Sequence, residues 1–393
     1  MTDIILFDPQ EACENLLPLT LTRPVALLRC GIMTISEKWR RAITGDHSLL
    51  TREYLSTKYP SADTPDGDNI FIAGNLLPSP SLSEAIVSLK AGEALYHNDT
   101  LIALRGNRDD LDDTSSLTHR RFQGDVTAIN HLYDIFMLNG VALADDFTTL
   151  TAGRESAPLP SNCTLIGSPD NLFIEADATL NCATINVTHG PVYIGHGCEV
   201  MEGSHIRGGF AMLDGSVVNM GSKIYGATTL GPHCKVGGEL NNVVMTGFSN
   251  KAHDGFLGNA VIGEWCNLGA GCTASNLKND YTPIKLWNYP THRFLPTGLQ
   301  FCGLIMGDHS KAGINTMFNT ATVVGVGCNI HGTGFPRNFV ASFQDGSASG
   351  FSDVSFHRFI DTARRVMARR DIELTDTDIE ILQHVNEFAD NFK

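Results

Sequence analysis

From Ile194 onward an aliphatic side chain returns every sixth residue: Ile194, Val200, Ile206, Met212, Val218, Ile224, Leu230 and Val236. After a two-residue shift of phase the register is expected to resume at Val244, then at Phe256, Ile262 and Leu268, and a last set reads Met306, Ala312, Phe318, Val324 and Ile330. Glycine often follows the periodic residue, as in Ile194-Gly195, Leu230-Gly231, Val236-Gly237, Ile262-Gly263 and Val324-Gly325. A period of six fits neither a helix of 3.6 nor a strand of two. It fits a parallel β-helix, in which each unit is a short strand and a turn, the periodic side chain fills a narrow prism, and three units close a coil of about 18 residues. Glycine or another small residue turns the corner. A β-sandwich with frequent turns is the plain alternative, but its strands need no fixed six-residue register.

The pattern resembles the left-handed hexapeptide-repeat β-helix over about residues 170 to 340. It breaks between Asn276 and Leu299, where Tyr281, Pro283, Trp287, Tyr289, Pro290 and Pro296 crowd together. A long loop is expected to protrude there, and long loops in compact domains are usually functional. The chain divides by material into residues 1–155, 156–345 and 346–393. The first part mixes strand-like runs (4–7, 70–73, 101–104) with helix-like ones (35–43, 82–91, 125–138), as an α/β domain does, and 153–160 reads as a linker. The last part reads as two helices, 356–370 and 379–388, the second capped by Thr375-Asp376-Thr377-Asp378. Arg364, Arg365, Arg369 and Arg370 form a basic patch on the first, either a solvated face or an anchor for a phosphate-bearing ligand.

With 43 acidic against 28 basic residues the 393-residue chain carries a formal charge of −15, which speaks against nucleic acid or an anionic membrane surface as the main partner. No apolar run approaches the roughly 18 residues that would span a bilayer, and the start lacks a cationic segment leading into an apolar one. The expected setting is cytoplasmic. The ten cysteines are scattered without a Cys-x-x-Cys pair, which points to reduced, buried thiols rather than a zinc site or disulfide framework.

The stretch Ser249-Asn250-Lys251-Ala252-His253-Asp254-Gly255-Phe256-Leu257-Gly258, followed by Asn267-Leu268-Gly269-Ala270-Gly271 and Asn276, resembles the acetyltransferase half of the bifunctional N-acetylglucosamine-1-phosphate uridylyltransferase/glucosamine-1-phosphate N-acetyltransferase family. The resemblance implies that His253 is the general base, that Asn267 and the Ala270 amide face the acetyl group, and that Phe256 and Asn276 touch the sugar. The residue types suit that chemistry. Imidazole titrates nearest neutral pH and can take a proton from an attacking amine. A backbone N–H can stabilise an oxyanion, and a carboxamide offers both a donor and an acceptor. Where the family grips the sugar phosphate with an arginine and a lysine, register places Lys223 and Asn241, so one cation is kept and the other lost. Phe256 replaces a tyrosine. Lys251, Lys285 and Arg293 are candidates to compensate.

The glycine-rich phosphate loop of sugar-nucleotide pyrophosphorylases is absent. Residues 16–39, with Leu21-Thr22-Arg23-Pro24, Arg29-Cys30-Gly31 and Lys38-Trp39, are instead similar to a divergent, Bacteroidetes-type branch of sugar nucleotidyltransferases, a resemblance that extends through Tyr133-Asp134-Ile135-Phe136 and the carboxyl-terminal Ala363-Arg364-Arg365. Arg23, Arg29 and Lys38 are three cations within sixteen residues of an acidic chain, suited to nucleotide phosphates; ordinary surface ion pairs are the alternative. Asn75, with Asp8, Asp68 and Asp134, adds candidate base, sugar or metal contacts.

The resemblance implies an enzyme of amino-sugar nucleotide synthesis with two activities. Acetyl would pass from acetyl-CoA to glucosamine 1-phosphate, and a uridylyl group from UTP, with Mg2+, to the acetylated product. It also implies a homotrimer. Two narrower readings stay open: a nucleotidyltransferase whose β-helix only assembles the protein, and an acetyltransferase for another amino sugar with a degenerate first domain. A non-enzymatic trimeric scaffold is the third.

Overall fold

A computed structural model describes residues 3–63 and 68–393. The chain folds as two compact units. One gathers residues 3–16, 22–28 and 33–131; the other gathers Leu17–Leu21, Arg29–Ile32 and residues 132–393.

The first unit is built on a six-stranded sheet, in spatial order Asp46–Leu50, Asp3–Phe7, Asn69–Ala73, Thr100–Gly106, Glu93–His97 and Thr118–Arg121. The first three run parallel and Thr100–Gly106 is antiparallel to Asn69–Ala73. Every residue of Asn69–Ala73 is buried, as an apolar central strand requires. Helix Ile35–Ala42 starts where expected because Thr34 and Glu37 form a reciprocal cap: the Glu37 N–H donates to Thr34 Oγ1 (3.2 Å) and the Thr34 N–H to Glu37 Oε2 (2.6 Å). The helix expected at 125–138 is displaced. Thr127–Ala128 is drawn into an antiparallel pair with Leu76–Leu77, and the helix runs instead over Asp134–Thr151.

The second unit is a parallel β-solenoid of about ten turns. The repeat sets its core: Ile194, Val200, Met212, Val218, Ile224, Leu230 and Val236 are all 1% exposed or less. Beyond Val236 the expected register fails by one residue. Met245 rather than Val244 pairs in line with Leu230, and Leu257 rather than Phe256 pairs in line with Leu240. The cause is two unbroken nine-residue strands, Glu239–Gly247 and Phe256–Glu264, which carry two faces of the prism without the usual corner. The step between inward residues falls from six to five from Leu240 to Met245 and again from Leu257 to Ile262. Phe256 thereby faces outward.

The expected protrusion is present as an antiparallel hairpin, Lys285–Asn288 with Arg293–Pro296, whose Trp287 stacks on Phe339 at 4.1 Å between ring centroids. Helix Asp134–Thr151 packs Leu143 and Phe147 on Phe173, Tyr193 and Ala211, and it holds the segment Arg29–Ile32. Asn139 Oδ1 accepts the Gly31 N–H (2.7 Å) and Asp146 Oδ2 the Ile32 N–H (2.7 Å). The chain closes with helices Phe356–Ala368 and Asp376–Ala389, the second capped by Thr375 and Asp378. None of the ten cysteines is in a disulfide, and eight are buried. Among the described residues no helix is long and apolar enough to cross a membrane.

Candidate functional site

His253 stands in the turn between strands Asn250–Lys251 and Phe256–Glu264, with its side chain exposed. The turn has the ordinary length of this corner, since Lys251 to Phe256 matches Val200 to His205 and Val218 to Lys223; the coil below is the exception, two residues short between Val236 and Glu239. Gly237 and Gly238 floor it. A Cβ on Gly237 would lie 2.3 Å from the Ala252 carbonyl oxygen, and one on Gly238 would lie 2.9 Å from the His253 carbonyl oxygen and 2.9 Å from Asp254 Cα. Gly238 also has a φ of +75°, a left-handed conformation open to glycine at little cost. The two glycines therefore leave the His253 turn room to seat closely over the short turn below it.

The coil above repeats the turn in register. Asn250 pairs with Asn267, the Gly271 N–H donates to the Asp254 carbonyl (3.0 Å) and the Phe256 N–H to Thr273 Oγ1 (3.4 Å). This register stacks Ala270 directly over His253, one strand spacing of about 4.8 Å away. The Ala270 peptide is fixed by its carbonyl, which accepts the Asn315 N–H (2.7 Å). The same register sets Asn276 over Asn259, to whose Oδ1 its Nδ2 donates (2.8 Å). Phe256 and Asn276 meet over Gly258, where a Cβ would lie 2.6 Å from Phe256 Cζ and 2.7 Å from Asn276 Nδ2. His253, Ala270, Phe256 and Asn276 thus share neighbouring turns of two adjacent coils.

Lys223 falls further down, in one column with Glu239 and Phe256 of the successive coils above it. It lines a cavity of about 310 Å³ together with His205, Arg207 and Tyr225. The Tyr225 hydroxyl donates to Glu239 Oε1 (2.6 Å). The expected compensating cations are elsewhere. Lys251 points into the prism at 1% exposure, where it cannot reach a phosphate outside, and Lys285 and Arg293 lie on the exposed hairpin.

A second feature adjoins the turn. A groove of about 520 Å³ runs beside Ala252 and Asn267, lined by Lys235, Phe248, Trp265, Arg369 and Arg370. Arg370 Nη2 donates to Asn250 Oδ1 (3.2 Å). Of the basic helical patch, Arg369 and Arg370 face this groove, whereas Arg364 pairs with Asp361 (3.7 Å) on the exposed side. Phe248 and Trp265 belong to a ladder of rings, His233, Phe248, Trp265 and His309, stacked at 5.2, 4.3 and 6.3 Å and all with positive φ. Of the groove residues, Lys235, Phe248 and Trp265 were not anticipated. Their signal is a ring followed by Cys or Ser and then Lys or Asn in four successive coils: His233-Cys234-Lys235, Phe248-Ser249-Asn250, Trp265-Cys266-Asn267 and His309-Ser310-Lys311.

In the first unit the carboxyl ends of the parallel strands gather Asp8 and Asn75, the edge at which open α/β sheets bind ligands. The Gly74 N–H donates to the Phe7 carbonyl (2.7 Å), and Asn75 Nδ2 to Asn130 Oδ1 (2.8 Å). Asp8 accepts from the Val25 N–H (2.8 Å) and the Thr51 hydroxyl (2.5 Å), and burial raises its pKa. Arg23 is buried in this unit, with its carbonyl facing Arg52 Nη2 (3.5 Å), and Lys38 is buried on helix Ile35–Ala42. Arg29 belongs to the other unit, where its guanidinium donates to the Ile32 carbonyl. Among the described residues no three carboxylate, imidazole or thiol groups converge as a metal site. Each Asp8 oxygen accepts one hydrogen bond.

Residues 4–155 match the sugar nucleotidyl transferase family. Curated relatives carry the description bifunctional protein GlmU. The protein from Methanocaldococcus jannaschii is 36% identical over 76 residues, covering 19% of this chain and 18% of its own. That from Rippkaea orientalis is 26% identical over 215 residues, covering 49% and 41%, and that from Clostridium acetobutylicum is 31% identical over 140 residues, covering 30% of each. The chain spans less than half the length of these relatives. Among solved structures, a hexapeptide transferase family protein from Anaplasma phagocytophilum aligns with a TM-score of 0.26 at 11% identity, over 58% of this chain and 88% of that one. The chain is thus similar to sugar nucleotidyl transferases over residues 4–155, and a parallel β-solenoid follows that stretch in the sequence.

Proposed function

We propose that the solenoid transfers acetyl from acetyl-CoA to the amine of glucosamine 1-phosphate or a close relative, and that the amino-terminal unit joins the product to UTP. The register that stacks the Ala270 peptide over His253, with Phe256 and Asn276 beside them, carries the reading. In it the sugar amine attacks the thioester carbonyl and His253 takes its proton. The Ala270 N–H and Asn267 steady the tetrahedral oxyanion. As the carbon–sulfur bond breaks, the imidazolium returns the proton to the leaving thiolate, so free CoA and an amide result. Phe256 and Asn276 would hold the sugar ring, and Lys223 its phosphate as a point charge. The groove lined by Lys235, Arg369 and Arg370 would take the phosphates of CoA, with Phe248 and Trp265 offering aromatic faces.

In the second reaction the sugar phosphate oxygen attacks the α-phosphorus of UTP, which arrives as its magnesium complex, and pyrophosphate leaves. Arg23, Arg29, Lys38 and Asn75 are the proposed phosphate and nucleotide contacts, and they act by positioning and neutralising charge. A cytoplasmic homotrimer completes the reading.

The acetyl step is tested by incubating the protein with acetyl-CoA and glucosamine 1-phosphate and following free thiol. The parent should release CoA, and His253→Ala should lower kcat by a factor on the order of 10² to 10⁴. A parent that releases none would leave nucleotidyl transfer with an assembling solenoid, or another amino sugar as acceptor.

A further inference from the structure

One ladder of inward side chains runs Leu180, Val200, Val218, Val236, Lys251, Leu268, Ala312, Ile330. Seven are aliphatic. The eighth is a lysine at 1% exposure, in the strand that leads directly into the His253 turn. A cation in an apolar prism is costly, and a hydrophobe of similar volume would normally serve the fold as well or better. Its ammonium spans the step from the short turn below to the full-length one above: Nζ donates to the Gly237 carbonyl in the coil below (2.9 Å) and to the carbonyl of His253 itself (2.5 Å). The position marks the point where the turn regains the two residues missing from its neighbour below, and where the inward carbonyls of the His253 turn, without a matching coil beneath them, need a donor. Asn219 does the same for the preceding residue, its Nδ2 donating to the Ala252 carbonyl (2.7 Å). The outer side of the turn is fixed separately, by the Glu239 N–H on the Gly255 carbonyl (3.1 Å) and the Gly271 N–H on the Asp254 carbonyl (3.0 Å).

We propose that Lys251 is a positioning residue: from inside the prism it clamps the His253 peptide and so sets the direction in which the imidazole leaves the coil. The consequence for turnover rests on the acetyl-transfer reading given above; the clamp itself does not. A misplacement of about 1 Å at a reacting group lowers rates on the order of 100-fold.

The test is Lys251→Met, which keeps the length of the chain and restores an apolar ladder, with Lys251→Leu as a second variant. Amide hydrogen exchange over 252–256, melting temperature and CoA release are measured on the full chain. The expected result is faster exchange confined to this turn, a melting temperature at or above the parent's, and kcat lowered on the order of 100-fold with KM for acetyl-CoA unchanged. Parental exchange at 252–256 in a folded variant would overturn the clamp. So would failure of both variants to fold, because the lysine would then be a requirement of the coil rather than of the turn. If the parent releases no CoA, the acetyl-transfer reading falls while the exchange measurement still decides the clamp.

Discussion

Gly258 shows how narrowly single residues bound the proposed sugar site. Its backbone is open to any residue, since its φ is not in the left-handed region, but a methyl group would enter between Phe256 and Asn276. The ring and carboxamide would have to part by several tenths of an ångström. Gly258→Ala should therefore raise KM for the sugar acceptor by about tenfold, the effect of roughly 1.4 kcal/mol, and leave KM for acetyl-CoA unchanged. Equal shifts in both constants, or none, would show that the acceptor does not lie over Gly258. At this scale the sequence was a poor guide to the direction of side chains. Phe256 was counted both as a core residue and as a sugar contact, and the structure leaves it only the outward place. Lys251 was counted as a candidate phosphate contact and proved to point inward. Spacing alone cannot separate these cases, because a one-residue shift of register turns a side chain to the opposite face of the strand.

Elements bring together what spacing keeps apart. Helix Phe356–Ala368 buries Phe359, Ile360, Ala363 and Met367, and beyond its end Arg369 and Arg370 border the groove beside Asn267. Its first residues anchor it by rings: Phe359 packs edge-on against Phe343 at 4.9 Å and His309 at 5.8 Å. Replacing Arg369 and Arg370 together by alanine should raise KM for acetyl-CoA about tenfold or more, since charge-assisted hydrogen bonds contribute about 1.5–3 kcal/mol each. The effect should fade as ionic strength rises, while kcat holds. An unchanged KM at low salt would assign the groove to something other than the acyl donor. Both the helix and its charge were legible from apolar spacing and arginine count. Which arginines face the solenoid was not, because that follows from how the helix is docked rather than from its own period.

At the scale of the molecule, buried thiols decide the alkaline limit. Burial pushes Cys198, Cys234, Cys266 and Cys302 up to about 12 and Cys328 to about 11, against an ordinary value of 9.0. Above that value the unfolded chain releases thiol protons that the folded chain keeps, so stability falls as pH rises. Lys251 and Lys311 act in the opposite sense. Burial lowers both from 10.5 to about 8, so between those values the unfolded chain binds more protons and stability rises. Five thiols against two amines make the fall prevail. Under reducing conditions the urea midpoint should be lower at pH 10 than at pH 8, and an equal or higher midpoint at pH 10 would contradict this balance. The sequence by itself determined the solenoid, because a six-residue apolar period admits one way of burying every periodic side chain. A family resemblance carried by its motifs singled out His253, Asn267, Ala270 and Asn276. Only the tertiary structure decided that the turn below His253 is two residues short, that Gly237 and Gly238 leave room there, and that a lysine holds the His253 turn from within. Each of those facts is a relation between stacked coils, and registers between coils are fixed by hydrogen bonding across them rather than by the order of residues along one.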